Sequence, residues 1–288
     1  MDLLNAVMQG LLLGGLYALF ACGLSVMFGV MRIVNLAHGD LAIAASFLAF
    51  VLVSSTFLPL WAVVVVSIPL FAAVGYATQR FLFQRSLTAG PLATLLVTFG
   101  LSIVLQNVLL ETFSADTRTL DAGALATSSL KVGEISLSYL GILGLVAALG
   151  SIAAIQIFLS RTRNGRIMRA ASDDPETAAL VGANSRHVYG IATAIAFGTV
   201  ALAGMIFAMR SSFDPALGPS RLIFAFEAVV IGGLGSLWGT LAGGLALGLT
   251  QSVVALYDPS SAVLAGHLVF LAVLAFRPQG MIPKRVVA

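Results

Sequence analysis

The chain has 288 residues, of which 59% are hydrophobic and 9% are charged, whereas soluble domains contain roughly 45–50% apolar and about 25% charged residues. This composition excludes an ordinary soluble domain and predicts a polytopic membrane protein. The formal net charge of +3 does not indicate a nucleic-acid partner, because the basic residues lie in short segments between apolar runs, where they act as orientation signals. The single cysteine, Cys22, excludes an intramolecular disulfide.

The apolar runs predict an all-α protein of about eight transmembrane helices. A span needs about 20 apolar residues, and each run must be helical because backbone polar groups in lipid have to be satisfied within the segment. The first run is too long for a signal-peptide core and is interpreted as a retained span. In chain order the predicted spans are 5–31, two spans within 41–79 that turn at Pro59, 88–110, 135–160, 188–209, about 238–257, and 262–276.

Polar segments between the spans predict the topology. Short basic loops belong in the cytoplasm, which places Arg80 with Arg85, the loop 161–187 and the basic tail from Arg277 on that side. The segments 111–134 and 210–227 are expected outside, the first as a periplasmic loop. We treat residues 1–288 as a single transmembrane domain with a cytoplasmic C-terminus.

The last quarter of the chain creates a conflict in this count. The outside segment 210–227 and the inside tail must be separated by an odd number of crossings. The sequence, however, predicts two spans between them, at about 238–257 and 262–276. A glycine-rich break at Gly232–Gly239 predicts a half-helix at about 228–236, and this half-helix can cross only with help from its neighbours. Eight spans are therefore the estimate, with nine or ten as alternatives.

Glycines spaced four apart predict close helix packing. Gly10 with Gly14, and Gly244 with Gly248, follow the small-xxx-small pattern that lets membrane helices approach closely. The pattern is compatible with packing inside the chain or in a homodimer. A second break, in the polar connection 32–40, resembles the break at Gly232–Gly239, and broken helices in corresponding positions of two halves are a common way to build a transporter site.

Polar residues at membrane depth are candidates for a translocation path, because they are costly there and usually have a function. The alternative is interfacial anchoring, helix-to-helix hydrogen bonding or, for Asp40, capping of a helix. The candidates are Asn35, His38, Asp40, Gln106, Asn107, Glu227, Gly232, Gly233 and Gly235.

The sequence offers no pattern typical of an enzyme. Neither Lys131 nor Lys284 follows a glycine-rich phosphate loop, so the chain is not expected to hydrolyse ATP by that route. The three histidines are far apart and no cysteine cluster accompanies them, which argues against a zinc site. No cofactor is expected in this chain.

The loop 161–187 contains a predicted helix of its own. Ser172–Glu176 has acids near a helix N-terminus and a proline in the first turn, and the following residues run to Gly182. This pattern is typical of a surface helix. Its position between two spans also fits a short helix that contacts a cytoplasmic partner.

Four motifs together resemble a known family. They are GVMRIVNLAHGD at 29–40, RAASD at 169–173 with LVGAN at 180–184, GGLGSLWG at 232–239 and RPQG at 277–280. In this order they resemble the inner-membrane permeases of the bacterial high-affinity branched-chain amino-acid ABC importers, and most of all the shorter of the two permeases in such a system.

The resemblance implies a type II ABC importer-like fold with broken helices. It also implies four kinds of partner: membrane lipid, a second homologous permease, two cytoplasmic ATPase subunits that use ATP, and a periplasmic solute-binding protein. The segment 169–184 would be the coupling helix that meets the ATPase. The implied coupling residues are Arg169, Asp173, Asp174, Glu176, Leu180, Gly182 and Asn184.

Two alternatives to a branched-chain amino-acid importer remain at this point. Permeases similar to this one also serve urea and short amides, since specificity in such systems resides mainly in the binding protein. An ion-coupled secondary transporter would need ionisable residues within the spans, and the predicted spans contain few.

Overall fold

The computed structural model describes residues 2–56, 58–133, 135–180 and 182–282. Lys284 and Arg285, which belong to the predicted basic tail, therefore lie outside the described residues. The helices are α1 (Asp2–Met31), α2 (His38–Ser55), α3 (Leu60–Thr78), α4 (Gln84–Ala89), α5 (Pro91–Phe113), α6 (Ala124–Thr127), α7 (Tyr139–Arg161), α8 (Arg163–Asp173), α9 (Pro175–Leu180), α10 (Ser185–Arg210), α11 (Gly218–Gly232), α12 (Leu237–Ala255) and α13 (Ala262–Phe276).

Three short elements complete the described chain. A π-helical turn, Gln79–Phe83, joins α3 to α4, and a 3-10 turn, Pro259–Ser261, precedes α13. Strands β1 (Ser129–Val132) and β2 (Ile135–Ser138) form an antiparallel hairpin, with Ser129 opposite Ser138. Eight helices of the described chain are long and apolar enough to cross a membrane, so the prediction of an all-α protein with eight spans is confirmed.

Helices α1 and α10 form the centre of the bundle. In their most apolar windows 83% and 72% of the residues are buried, compared with 22% in α5 and α7 and 11% in the segment that contains α13. The peripheral helices expose large apolar side chains such as Leu96, Val146 and Leu268. Such a surface is stable only against lipid or another apolar protein surface.

Glycines set the distance between α1 and α12. A Cβ on Gly248 would lie 2.3 Å from the backbone nitrogen of Gly14 and 2.4 Å from the carbonyl oxygen of Gly10, and a Cβ on Gly14 would lie 2.6 Å from the carbonyl oxygen of Gly244. No side chain fits between these backbones. The predicted small-xxx-small packing is confirmed, and it operates within the chain.

The first helix break carries the chain back into the bundle. Helix α1 ends at Met31, and the next residue, Arg32, has a positive φ of 55°. Residues 32–37 then run back alongside α1. At the start of α2, Nε2 of His38 lies 2.8 Å from the carbonyl oxygen of Phe20. Phe20 is about 16 Å from the end of α1 at a rise of 1.5 Å per residue. Helix α2 therefore begins deep inside the bundle.

The second break adds α11, a helix that is not among the eight membrane-length helices of the described chain. Residues 218–227, predicted as part of an outside loop, belong instead to α11, and Phe224 and Glu227 are buried there. Met281 and Ile282 donate backbone hydrogen bonds to Ile231 and Gly232. Helix α11 therefore has its C-terminal end beside the segment that follows α13. Its 15 residues span about 22 Å, and α12 then runs back through the bundle.

The segment at Arg80 and Arg85 was predicted to be a loop, and this prediction is wrong. The helix continues through the π-helical turn into α4 and stops only at Gly90, whose φ of +108° suits glycine. No glycine or proline precedes that point after Gly75, so nothing in the local sequence ends the helix earlier.

One end of the bundle is strongly basic, and we call it the basic end. Here α1, α4, α7, α11 and α13 end and α10 begins. The arginines at or beside this end are Arg32, Arg80, Arg85, Arg161, Arg163, Arg166, Arg169, Arg186 and Arg277.

The opposite end carries the hairpin and the predicted periplasmic segment. Helix α5 extends to Phe113, so the first residues of the predicted loop 111–134 are helical; Glu134 lies outside the described residues. Beyond α5, Arg118 pairs with Phe213 through two backbone hydrogen bonds of 2.8 Å. The segment after α5 is thereby joined to the segment after α10.

Candidate functional site: a surface helix pair and a buried polar seam

Helix α8 lies along the basic end with one face packed against the bundle. The Thr162 hydroxyl accepts a hydrogen bond of 3.0 Å from the backbone N–H of Gly165 and caps the helix. Met168 and Ala171 are fully buried, whereas Arg163, Arg166 and Arg169 are exposed. This helix was predicted only as part of a loop, because its arginines obscured its narrow apolar face.

A hydrogen bond connects α8 to the centre of the bundle. The buried Ser172 hydroxyl donates to the carbonyl oxygen of Gly29 on α1 over 2.5 Å. Gly29 in turn packs on Gly235 of the second break, where a Cβ on Gly29 would lie 3.2 Å from the Gly235 Cα. Two direct contacts therefore link α8 to the segment before α12.

Helix α9 presents an apolar side chain to solvent. Asp174 accepts hydrogen bonds from the Thr177 backbone N–H (3.1 Å) and hydroxyl (2.5 Å), which confirms the predicted helix start beside Pro175. Ala178 packs inward at 4% exposure, and Leu180 is 87% exposed. Leu180 is therefore accessible to a partner protein.

The structure describes six of the seven predicted coupling residues at side-chain level, and all six are exposed at the basic end: Arg169, Asp173, Asp174, Leu180, Gly182 and Asn184. The side chain of Glu176 lies outside the described part. Asn184 also has a structural role, since its Oδ1 accepts a hydrogen bond of 3.3 Å from the backbone N–H of His187 and caps α10. The coupling role itself stays a prediction.

The buried polar seam consists of Asp40, Ser102 and Gln106 with Gly218. Asp40 is fully buried and accepts a hydrogen bond of 2.5 Å from the Ser102 hydroxyl. The Gln106 amide donates to the same hydroxyl over 3.1 Å. A Cβ on Gly218 would lie 1.9 Å from Asp40 Oδ1, so the seam joins α2, α5 and the start of α11.

The other predicted path residues do not join the seam. Asn35 and His38 are fully buried and stabilise the first break: Asn35 accepts from the Ala37 backbone N–H over 3.1 Å, and His38 meets Phe20 as described above. Asn107 is exposed on the outer face of α5 and donates to the carbonyl oxygen of Ile103. Gly232, Gly233 and Gly235 lie at the second break near the basic end.

Glu227 belongs to a separate pair. It is 3% exposed and its Oε1 lies 2.5 Å from Nδ1 of His267 on α13. Glu227 follows Gly218 by nine residues of α11, about 14 Å along the helix. The candidate path residues thus occupy the seam, the two breaks, the pair on α11 and α13, and one exposed position on α5.

Comparison with known proteins identifies the family. A model of the family "Branched-chain amino acid transport system / permease component" matches residues 6–276. The chain belongs to this family. It is 31% identical to the high-affinity branched-chain amino acid transport system permease protein BraD of Pseudomonas aeruginosa, over 98% of this chain and 96% of BraD. It is 27% identical to LivH of Salmonella typhimurium, over 88% and 86%, and 32% identical to the fructose import permease protein FrcC of Rhizobium meliloti, over 62% and 53%.

This permease also contains a polar group that the sequence did not reveal. The Tyr17 hydroxyl donates to Oε1 of Gln251 over 2.6 Å, and the Arg221 guanidinium lies 4.8 Å from the centre of the Phe207 ring. Arg210 and Arg221 line a small cavity of about 60 Å³ beside Tyr17. Arg210 and Arg221 were assigned to an outside loop, and no local signal marked them as part of the bundle.

Proposed function

We propose that this permease is the membrane-spanning subunit of an ATP-driven importer of branched-chain amino acids. The family match over residues 6–276 carries the proposal, and the near-complete alignment with BraD supports the substrate class. Among the described residues no group of three or more histidine, cysteine or acidic side chains could hold a metal. We infer that this chain contributes a path across the membrane and a change in the shape of that path.

Separate ATPase subunits bind ATP and drive the conformational change, and α8 and α9 are the helices that they contact. Leu180 and the exposed acids meet the ATPase, while Ser172 and Gly29 pass the displacement to the second break. Gly235 has a φ of +79° and touches Gly29, so a shift of α8 changes the angle between α11 and α12. This rearrangement of broken helices is a two-state gating step.

The path forms between this chain and a second, homologous permease, with a solute-binding protein on the opposite end. The candidate path residues within this chain are dispersed, which supports a path that is completed by another subunit. The nine arginines at the basic end support a cytoplasmic position for that end, by the positive-inside rule. The membrane is the bacterial inner membrane, and the C-terminus is cytoplasmic.

The decisive experiment reconstitutes the chain with its ATPases, second permease and binding protein, and measures uptake of labelled leucine. We expect uptake that requires ATP and this chain, with competition by isoleucine and valine. Competition by urea, acetamide or fructose instead would change the assignment of the substrate. Uptake driven by an ion gradient without the ATPases would replace the proposal with a secondary transporter, for which the buried Asp40 and Glu227 are the candidate ion-binding groups.

A separate variant tests the coupling assignment. Asp173→Lys combined with Glu176→Lys reverses two charges within the α8–α9 segment. We expect normal membrane insertion and loss of ATP-driven uptake. Unchanged uptake would contradict the assignment.

A further inference from the structure

A wide cavity opens at the basic end between the α3–α4 segment and the start of α10. Its volume is about 610 Å³, and its lining includes Arg80, Arg85, Arg186 and His187. Within the described part of the chain, no carboxylate lines this cavity. Among the described residues none of the three arginines takes part in an ion pair, so their positive charges are available to an anion.

The three guanidinium groups are suited to phosphate. A guanidinium presents several N–H donors in a planar fork that matches two phosphate oxygens. Two aromatic residues, Tyr76 and Phe81, also line the cavity, and Phe81 is 70% exposed. Aromatic rings of this kind concentrate at the level of lipid headgroups.

An apolar groove continues from the cavity into the membrane-spanning part. The groove has a volume of about 400 Å³ and lies between α3, α7 and α10, with Ile68, Ala72, Ile191, Ile195 and Leu202 in its walls. From Ile191 to Leu202 it follows α10 for about 16 Å. Small residues keep it open, since Gly198 and Ala194 face it from α10.

Tyr76 joins the two spaces. It lines both the basic cavity and the groove, and its hydroxyl lies 2.9 Å from Nδ1 of His187. A single molecule that fills both spaces must carry a negative charge at one end and a long apolar chain at the other. A partner helix would fill the groove but leave the three arginines without an anion.

We propose that this cavity and groove bind one anionic phospholipid, with the phosphate headgroup on Arg80, Arg85 and Arg186 and an acyl chain along the groove. Basic cavities between transmembrane helices bind anionic headgroups in this way. The bound lipid ties the end of α3 to the start of α10, which directly follows α9. It therefore stabilises the position of the proposed coupling segment.

The test uses the full chain, purified in a neutral detergent and stripped of lipid, and titrated with dioleoyl phosphatidylglycerol or dioleoyl phosphatidylcholine under native mass spectrometry. We expect one phosphatidylglycerol to bind in preference to phosphatidylcholine. Each arginine near a surface contributes roughly five-fold to anionic lipid binding. The triple variant Arg80→Gln, Arg85→Gln, Arg186→Gln should therefore lose most of the preference.

A charge-matched control separates the site from general attraction. Arg161→Gln, Arg163→Gln, Arg166→Gln removes three exposed positive charges from the same end but none from the cavity, and it should keep the preference for phosphatidylglycerol. Equal losses in the two triple variants would overturn the proposal. Helical circular dichroism confirms that each variant is folded.

A groove variant tests the acyl chain independently of the arginines. Ala194→Leu fills the groove, so it should weaken the binding of dioleoyl phosphatidylglycerol while leaving the binding of the soluble dihexanoyl form unchanged. Equal effects on both lipids would show that the groove does not hold the chain. A last experiment adds inorganic phosphate as a competitor. Displacement of the lipid by millimolar phosphate would indicate a site for the free anion and overturn the proposal.

Discussion

Asp40 shows most clearly how single residues act in this bundle, because a buried carboxyl group depends on each hydrogen bond that it receives. The Ser102 hydroxyl donates one such hydrogen bond to Asp40 over 2.5 Å. Ser102→Ala should lower the stability of the purified chain by roughly 1 kcal/mol, within the range measured for hydrogen bonds between membrane helices. The measurement is the midpoint of thermal unfolding in detergent.

Ser67 provides the matched control for this change. Its hydroxyl is also fully buried, but it has no hydrogen-bond partner within the described chain. Removing an unpaired polar atom is neutral or stabilising, so Ser67→Ala should leave the midpoint unchanged or raise it. If both alanine variants behaved alike, the seam would have no stabilising role.

At the scale of elements, the contact of α1 with α12 depends on glycine. Gly248→Ala places a methyl group within 2.5 Å of backbone atoms of Gly10 and Gly14, and the helices must separate to admit it. Such overpacking costs roughly 1–3 kcal/mol. We expect a clear fall in the unfolding midpoint and, because α12 begins at the second break, weaker transport as well.

The control at this scale is Gly150→Ala on α7. A Cβ there meets nothing within 4 Å, and alanine favours a helix over glycine by roughly 0.5–1 kcal/mol. This variant should be as stable as the parent or slightly more stable. A destabilisation equal to that of Gly248→Ala would mean that helix contacts do not explain the effect.

At the scale of the whole molecule, the proposed coupling requires that a displacement of α9 by a partner protein reach the two helix breaks. Leu180 is 87% exposed, so Leu180→Asp should not disturb folding, whereas a charge in the partner's groove should disrupt docking. Uptake should fall roughly ten-fold or more, a loss of about 1.4 kcal/mol in coupling. The readout is ATP-driven uptake beside ATPase activity in proteoliposomes.

Leu125→Asp is the corresponding change at the opposite end. Leu125 is 46% exposed on the short helix α6, which does not contact α8 or α9. Uptake at saturating binding protein should remain near that of the parent. A similar loss in both variants would point to a general defect and remove the support for α9 as the coupling helix.

The sequence predicted the features that depend on local composition. Apolar runs of sufficient length gave all eight membrane-length helices, because the lipid environment requires each run to satisfy its own backbone. The acids beside Pro175 predicted the start of α9, and the glycine pairs predicted the contact of α1 with α12. The continuation of the helix through Arg80 was mispredicted, since charge suggested a loop where no residue ends the helix.

What the sequence determined by itself is therefore a polytopic helical protein with two breaks, and with motifs that identify its family. Only the tertiary structure decided that α2 begins deep in the bundle, that residues 218–232 form α11 with Glu227 buried, and that Asp40 meets Ser102. The reason is physical. Composition fixes whether a segment favours lipid or water, but a polar residue at membrane depth finds its partner through packing between helices distant in sequence.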